Sequence, residues 1–165
     1  MSKNTRRIAV IGVTAALYFA LTLAFQGLSY GNIQFRISET LNLLAFVNPV
    51  FAPGVILGCL LSNMFSPFAA ADMIVGTLES ALVMFFVIRT KKLTLACLYP
   101  VIGCLIIAVE VMFFYLDPPH TFVQFLLCAA SVLFGEAVVM FGAGFPLFKF
   151  GILKNEKLTA FLKSL

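Results

Sequence analysis

Charge is scarce in this chain: 11% of its 165 residues are Asp, Glu, Lys or Arg, while 62% are hydrophobic and 19 are phenylalanine. A water-exposed surface cannot be covered from such a composition, which excludes a soluble globule and indicates a membrane protein. Basic stripes with interleaved aromatics are missing as well. The net charge of +4 therefore does not point to nucleic acid, because its Lys and Arg residues gather at the ends of apolar runs, where lipid headgroups meet them. No Cys-x-x-Cys spacing occurs. Cys59, Cys97, Cys104 and Cys128 each lie inside an apolar run and read as small buried residues rather than a disulfide frame or a zinc site. Walker, Gly-x-Ser-x-Gly and His-Glu-x-x-His patterns are also lacking, so neither ATP hydrolysis nor a familiar catalytic centre is expected, and no cofactor is called for.

What remains is a series of long apolar segments that reads as one integral membrane domain over residues 1–165, all-α, with helices near 8–28, 39–48, 50–65, 72–88, 93–116 and 121–148. The first is preceded by Lys3, Arg6 and Arg7 and imitates a signal peptide. It is long enough, at about 1.5 Å per residue, to cross about 30 Å of hydrocarbon, and is expected to stay as a membrane helix. Segment 39–48, which Ser38 can cap, is too short to span alone, and Asn48-Pro49 and Pro53-Gly54 interrupt the apolar run after it. If all six segments cross, Lys3, Arg6, Arg7, Arg89, Lys91, Lys92, Lys149, Lys154, Lys157 and Lys163 share one side. The positive-inside rule then places both termini in the cytoplasm of a multi-pass protein of the cell membrane. Arg36 alone lies outside, within the polar island of residues 31–39, together with the 66–72 loop and the Asp117-Pro-Pro-His120 turn.

Glu79, Glu110 and Glu136 fall inside the predicted spans, where a carboxylate needs a partner or a polar cavity. Asp72 and Glu79 share a helical face roughly 10 Å apart along the axis. Proton relay, structural hydrogen bonding and binding of a polar solute are the three available roles. A relay needs ionisable groups down to the cytoplasmic side, and the inner halves of these segments are almost purely apolar. The polar inventory is weighted outward instead: Gln34, Arg36, Glu39, Asn63, Asp72, Glu79, Glu110 and His120 form a candidate pocket open to the exterior. Glu136 lies deeper and is the most readily structural, Arg36 can simply pair with Glu39, and His120 can be an ordinary turn residue. Carboxylates in such a pocket would accept hydrogen bonds from an amidine-like edge or attract an ammonium, with phenylalanines and Tyr30 as walls for a flat ring. Ala16, Ala20 and Ala24, four apart in the first segment, share one face that suits either internal packing or a partner helix.

Tyr30-Gly-x-Ile-Gln-Phe-Arg-Ile-Ser-Glu39, then Pro53-Gly54 with Gly58-Cys-Leu-Leu-Ser-Asn63, Asp72 with Gly76-Thr-Leu78, and Gly135-Glu136 together resemble the QueT family. Its members are proposed queuosine-precursor-specific substrate-binding subunits, or S components, of energy-coupling factor transporters. The resemblance covers most of residues 6–148, and the Gln-Phe-Arg-Ile-Ser-Glu hexad is its most specific part. It implies a six-helix membrane bundle with a pocket roofed by the first loop. It further implies docking on a transmembrane coupling subunit through Ala16, Ala20 and Ala24, two ATP-binding cassette subunits that hydrolyse ATP, and toppling of the S component to release its load inward. The implied substrate is a 7-deazaguanine with an aminomethyl or cyano group. One carboxylate would read the guanine edge and another would balance an aminomethyl cation, with no assignment between them. Two alternatives stand beside this: an S component for another small nutrient such as thiamine, and a structural or assembly membrane protein whose glutamates only hold helices together.

Overall fold

The computed structural model describes residues 2–30 and 33–165, so Gly31 and Asn32 of the polar island lie outside the described residues. Every regular element among the described residues is helical. Helix α1 (Lys3–Ala24) starts at Ser2, whose hydroxyl accepts from the Thr5 amide. A short turn, α2 (Gln26–Ser29), comes after it, and the chain then runs irregularly to a tight 3-10 turn (Ile37–Leu41) that continues into α3 (Asn42–Val47). Asn48 stops α3 in an extended conformation and accepts from the Val50 amide, starting the Pro49–Phe51 turn that leads into α4 (Ala52–Asn63). Three long helices come next: α5 (Ala69–Val87), α6 (Leu93–Tyr115) and α7 (Phe122–Ala137), the last opened by a reciprocal Thr121–Gln124 capping box. Beyond α7 the same helix widens into π turns at Val138–Gly144 and Leu147–Ile152, and α8 (Glu156–Lys163) begins at an Asn155 cap.

Helices α1, α4, α5, α6 and α7 pack in sequence, and the Val138–Gly144 segment then meets the Ile37–Leu41 turn, which lies back on α1. The ring so closed surrounds α3, whose Leu43 and Ala45 are fully buried. Where α1 meets α4 the backbones come close because α4 offers Gly54 and Gly58, four apart. A Cβ at Gly54 would sit 2.7 Å from the Ile11 carbonyl oxygen, and one at Gly58 would sit 2.6 Å from Tyr18 Cβ. Small residues at this spacing are how membrane helices approach without a hydrophobic driving force.

Among the described residues, four helices are long and apolar enough to cross a membrane: Lys3–Ala24, Ala69–Val87, Leu93–Phe114 and Phe122–Ile152. The apolar segments Ile37–Val47 and Pro49–Asn63 are shorter. At about 1.5 Å per residue neither crosses about 30 Å unaided. Hydrogen bonds fix where the first of them sits in the bundle. Ser38 Oγ pairs with Thr22 Oγ1 at 2.7 Å and Glu39 takes the Tyr18 hydroxyl, so this segment starts beside the C-terminal third of α1 rather than beyond its end. Its other end reaches the far side, where Asn48 Nδ2 donates to the Leu162 carbonyl of α8 at 3.0 Å. The loop after α2 therefore dips into the bundle, an irregular backbone tolerated at membrane depth because protein surrounds it.

Compared with the limits read from the sequence, α1 begins at Lys3 rather than residue 8, the last span runs on to Ile152, and the lysine-rich tail contains α8. Leu162 and Leu165 of that tail pack against the core, which gives α8 an anchor that charge counting does not register.

Candidate functional site

The inward-dipping loop covers a small polar cavity lined by Gln34, Arg36, Glu39, Glu79, Pro100, Cys104, Ile107 and Glu136. Its volume is about 20 Å3, room for a single water. Four elements supply the walls: the loop with the Ile37–Leu41 turn, α5, α6 and α7.

Glu39 is the most heavily bonded residue in the site. The Tyr18 hydroxyl donates to its Oε1, Asn42 Nδ2 donates to its Oε2, and Arg36 Nη1 stands 3.9 Å from Oε1. Its position comes from the tight turn, which points Glu39 and Asn42 the same way, and from Tyr18 on the buried face of α1. Arg36 is 12% exposed in its side chain, and its guanidinium lies 5.9 Å from the centre of the Tyr30 ring. The guanidinium stays cationic, with the Glu39 carboxylate beside it. Its Nε is buried with no acceptor.

The loop is tied down at several points. Tyr30 donates to the Ser62 carbonyl at 2.6 Å, and the Phe35 amide donates to the Leu28 carbonyl at 3.0 Å. Burial pushes the Tyr30 phenol up from its ordinary pKa, with Arg36 opposing, so it remains a donor. The Phe35 and Phe134 rings meet edge to face at 6.4 Å, and the Gln34 backbone rests on Gly135, where a Cβ would lie 2.7 Å from the Gln34 carbonyl oxygen.

Across the cavity stand Glu79 of α5 and Glu136 of α7. Glu79 receives one long hydrogen bond, 3.5 Å from Ser80 Oγ, and its carboxylate lies against the bare Cα of Gly103 on α6. Glu136, 3% exposed, has a buried Oε1 with no partner. One guanidinium thus faces three carboxyl groups, of which only Glu39 is fully hydrogen-bonded. Buried charge of that imbalance requires bound protons or an incoming cation and donor groups.

Of the candidates named from the sequence, Gln34, Arg36, Glu39, Glu79 and Glu136 therefore share one cavity. Glu136, the one most readily taken as structural, is part of it. Asn63, Asp72 and Glu110 form a separate cluster: Asn63 Nδ2 donates to the Asp72 carbonyl at 2.8 Å, and the Glu110 side chain lies beside that of Asp72. His120 is in neither group; its ring packs 4.9 Å from that of Phe113. The aromatic wall expected from the phenylalanines is not in the lining, which is Pro100, Cys104 and Ile107 beside the polar groups. Phe85, Phe86, Phe113, Phe122, Phe134 and Phe150 instead point outward, where hydrocarbon receives them without cost. Ala16, Ala20 and Ala24 are exposed, on the side of α1 away from α4.

Tyr18, Asn42 and Gly103 were not identified from the sequence, and Gly135 entered only through the family pattern. Tyr18 had a signal, since Thr14, Tyr18 and Thr22 are four apart in an otherwise apolar helix and form a buried polar stripe. The glycines carry none without a neighbour.

A family model described as the QueT transporter matches residues 8–151. The chain belongs to the QueT transporter family. The matched stretch runs from α1 through the π turns and contains every cavity residue, and α8 lies past its end. Among curated proteins, the "Queuosine precursor transporter QueT" of Lactococcus lactis subsp. cremoris (strain MG1363) is 44% identical over 79 residues, which is 47% of this chain and 46% of that protein. The chain thus matches about half the length of this QueT relative. No solved structure matches it.

Proposed function

We propose that the chain is the substrate-binding subunit of an energy-coupling factor importer and that its cargo is a queuosine precursor, a 7-deazaguanine. The carrying observation is the cavity in which one arginine faces three carboxyl groups beneath a loop pinned over it. A bicyclic base that offers several N–H donors, with or without an aminomethyl cation, supplies what those acids lack. The relative's printed name points to the same cargo. Small-molecule pockets are typically about 300–1,000 Å3, so binding requires the loop to lift and resettle around the ligand.

The outward face of the loop serves capture from outside, with both termini in the cytoplasm as the basic residues indicate. The exposed Ala16, Ala20 and Ala24 stripe is the docking face for a transmembrane coupling subunit, since α1 already uses its opposite face internally and only 22% of its span is buried. Two ATP-binding cassette subunits supply the hydrolysis for which this chain has no motif, and the chain itself is not an enzyme. Isothermal calorimetry of the purified protein tests the cargo: binding of 7-aminomethyl- or 7-cyano-7-deazaguanine is expected. Thiamine, also a cation with an aminopyrimidine edge, is the control, and binding of thiamine alone would replace the cargo while keeping the architecture.

A further inference from the structure

The carboxyl groups in the cavity are not equivalent. Both oxygens of Glu39 are occupied from within the protein, by Tyr18 on one and Asn42 on the other, with Arg36 alongside. A ligand that recruited Glu39 would have to displace these partners. Glu136 is only 3% exposed, lines the same cavity, and its Oε1 has no partner. Arg36 likewise keeps a buried Nε–H with no acceptor while its Nη1 leans on Glu39. Glu136 Oε1 and Arg36 Nε–H are thus an acceptor and a donor of the lining that are buried and unpartnered, too deep for bulk water to satisfy, and unpaired groups of this kind are costly unless a ligand completes them.

We propose that Glu136 and Arg36 are the specificity pair of this site, reading a lactam–amidine edge in which a ring carbonyl meets Arg36 and a ring N–H with its exocyclic amine meets Glu136. Glu39 is a positioning residue that holds Arg36 and the covering loop and does not touch the ligand. Glu79, with one long hydrogen bond of its own at 3.5 Å, is the second acid available to a cationic substituent. This assignment rests on the proposed binding function and adds which groups discriminate.

The test uses the full chain in detergent and three bases: 7-deazaguanine, its analogue without the exocyclic amine, and its analogue without the ring carbonyl. A site built to hydrogen-bond a group rejects the analogue lacking it, so wild-type protein is expected to prefer 7-deazaguanine over each by at least about tenfold. Glu136→Gln should bring the amine preference close to unity and leave the carbonyl preference, whereas Arg36→Gln should do the reverse. Glu39→Gln should lower the melting temperature and weaken all three bases alike. Unchanged discrimination in folded Glu136→Gln and Arg36→Gln, or selective loss of one preference in Glu39→Gln, overturns the assignment. If Glu136→Gln does not fold, the Arg36→Gln arm decides alone. Wild-type protein that binds none of the bases overturns the functional reading, and this assignment with it.

Discussion

At the scale of the residue, the site depends on a phenol that sequence spacing alone does not connect to it. The Arg36–Glu39 pair was legible because the two residues stand three apart, and the structure shows them at 3.9 Å. Tyr18 reaches Glu39 from 21 positions away, a separation at which a one-dimensional reading has no constraint. Tyr18→Phe removes a donor from a buried carboxylate while keeping the ring, so the loss is that of a hydrogen bond with its acceptor left unsatisfied, about 1–3 kcal/mol. The expected outcome is a lower melting temperature in detergent, measured by intrinsic fluorescence or differential scanning, with weaker ligand binding because Arg36 loses its support. A melting temperature equal to wild type would show that water replaces the phenol there. The depth of Glu136 had the opposite effect on legibility. Distance from the outer end suggested a structural role, but the loop descends to meet it, and only three-dimensional packing reveals that descent.

At the scale of the element, the long helices were visible as apolar runs, and the covering loop was visible as a polar island. The short Ile37–Val47 segment was legible as a helix near 39–48, but its place in the bundle, the π turns after α7 and the surface helix α8 were not, because each owes its form to tertiary partners: Thr22 and Tyr18 for the first, Leu43 beside Gly144 for the second, Asn48 for the third. Two glycines show what such contacts demand. At Gly135→Ala the new Cβ would stand 2.7 Å from the Gln34 carbonyl oxygen, so the loop must rise from α7. The expected result is faster hydrogen exchange over residues 33–36 and a faster ligand off-rate, with the helix content unchanged. Gly58→Val would thrust a side chain at Tyr18 Cβ, 2.6 Å away even for the first carbon, separating α1 from α4 at a cost of about 1–3 kcal/mol. Gly12→Ala is its matched control. A Cβ there meets nothing within 4 Å, so stability should hold or rise slightly, since alanine is the better helix former by about 1 kcal/mol. Equal melting temperatures for the Gly12 and Gly58 variants would refute the close α1–α4 approach.

At the scale of the whole molecule, the bundle sorts its two kinds of surface by solvent. Polar groups turn inward to the cavity and to the Asn63–Asp72–Glu110 cluster, and most phenylalanines, though not the core residues Phe51 and Phe148, turn outward, the reverse of a soluble domain. Helix α1 differs on the outside, because beside the exposed Ile8, Val13 and Leu17 it leaves uncovered a stripe of small residues, Ala16, Ala20 and Ala24. Lipid chains gain little from alanine, whereas a partner helix gains close backbone approach. The two faces of α1 are only two residues apart in register, with Tyr18 holding Glu39 between Ala16 and Ala20 on the opposite side, so the proposed docking face and the cavity share one helix. This gives a separable prediction. Ala16→Trp and Ala20→Trp place large rings where the exposed face has room, so the isolated protein should keep its melting temperature and its ligand affinity. Co-purification with a coupling subunit and its ATPases should fall by at least about tenfold, the equivalent of about 1.4 kcal/mol lost from the interface. Tryptophan at Leu17, exposed next to the stripe but already bulky, should disturb assembly less. If all three variants assemble normally, the stripe faces lipid and the coupling surface lies on another helix. If they lose ligand binding together with assembly, α1 has been displaced from α4, and the effect belongs to folding rather than docking.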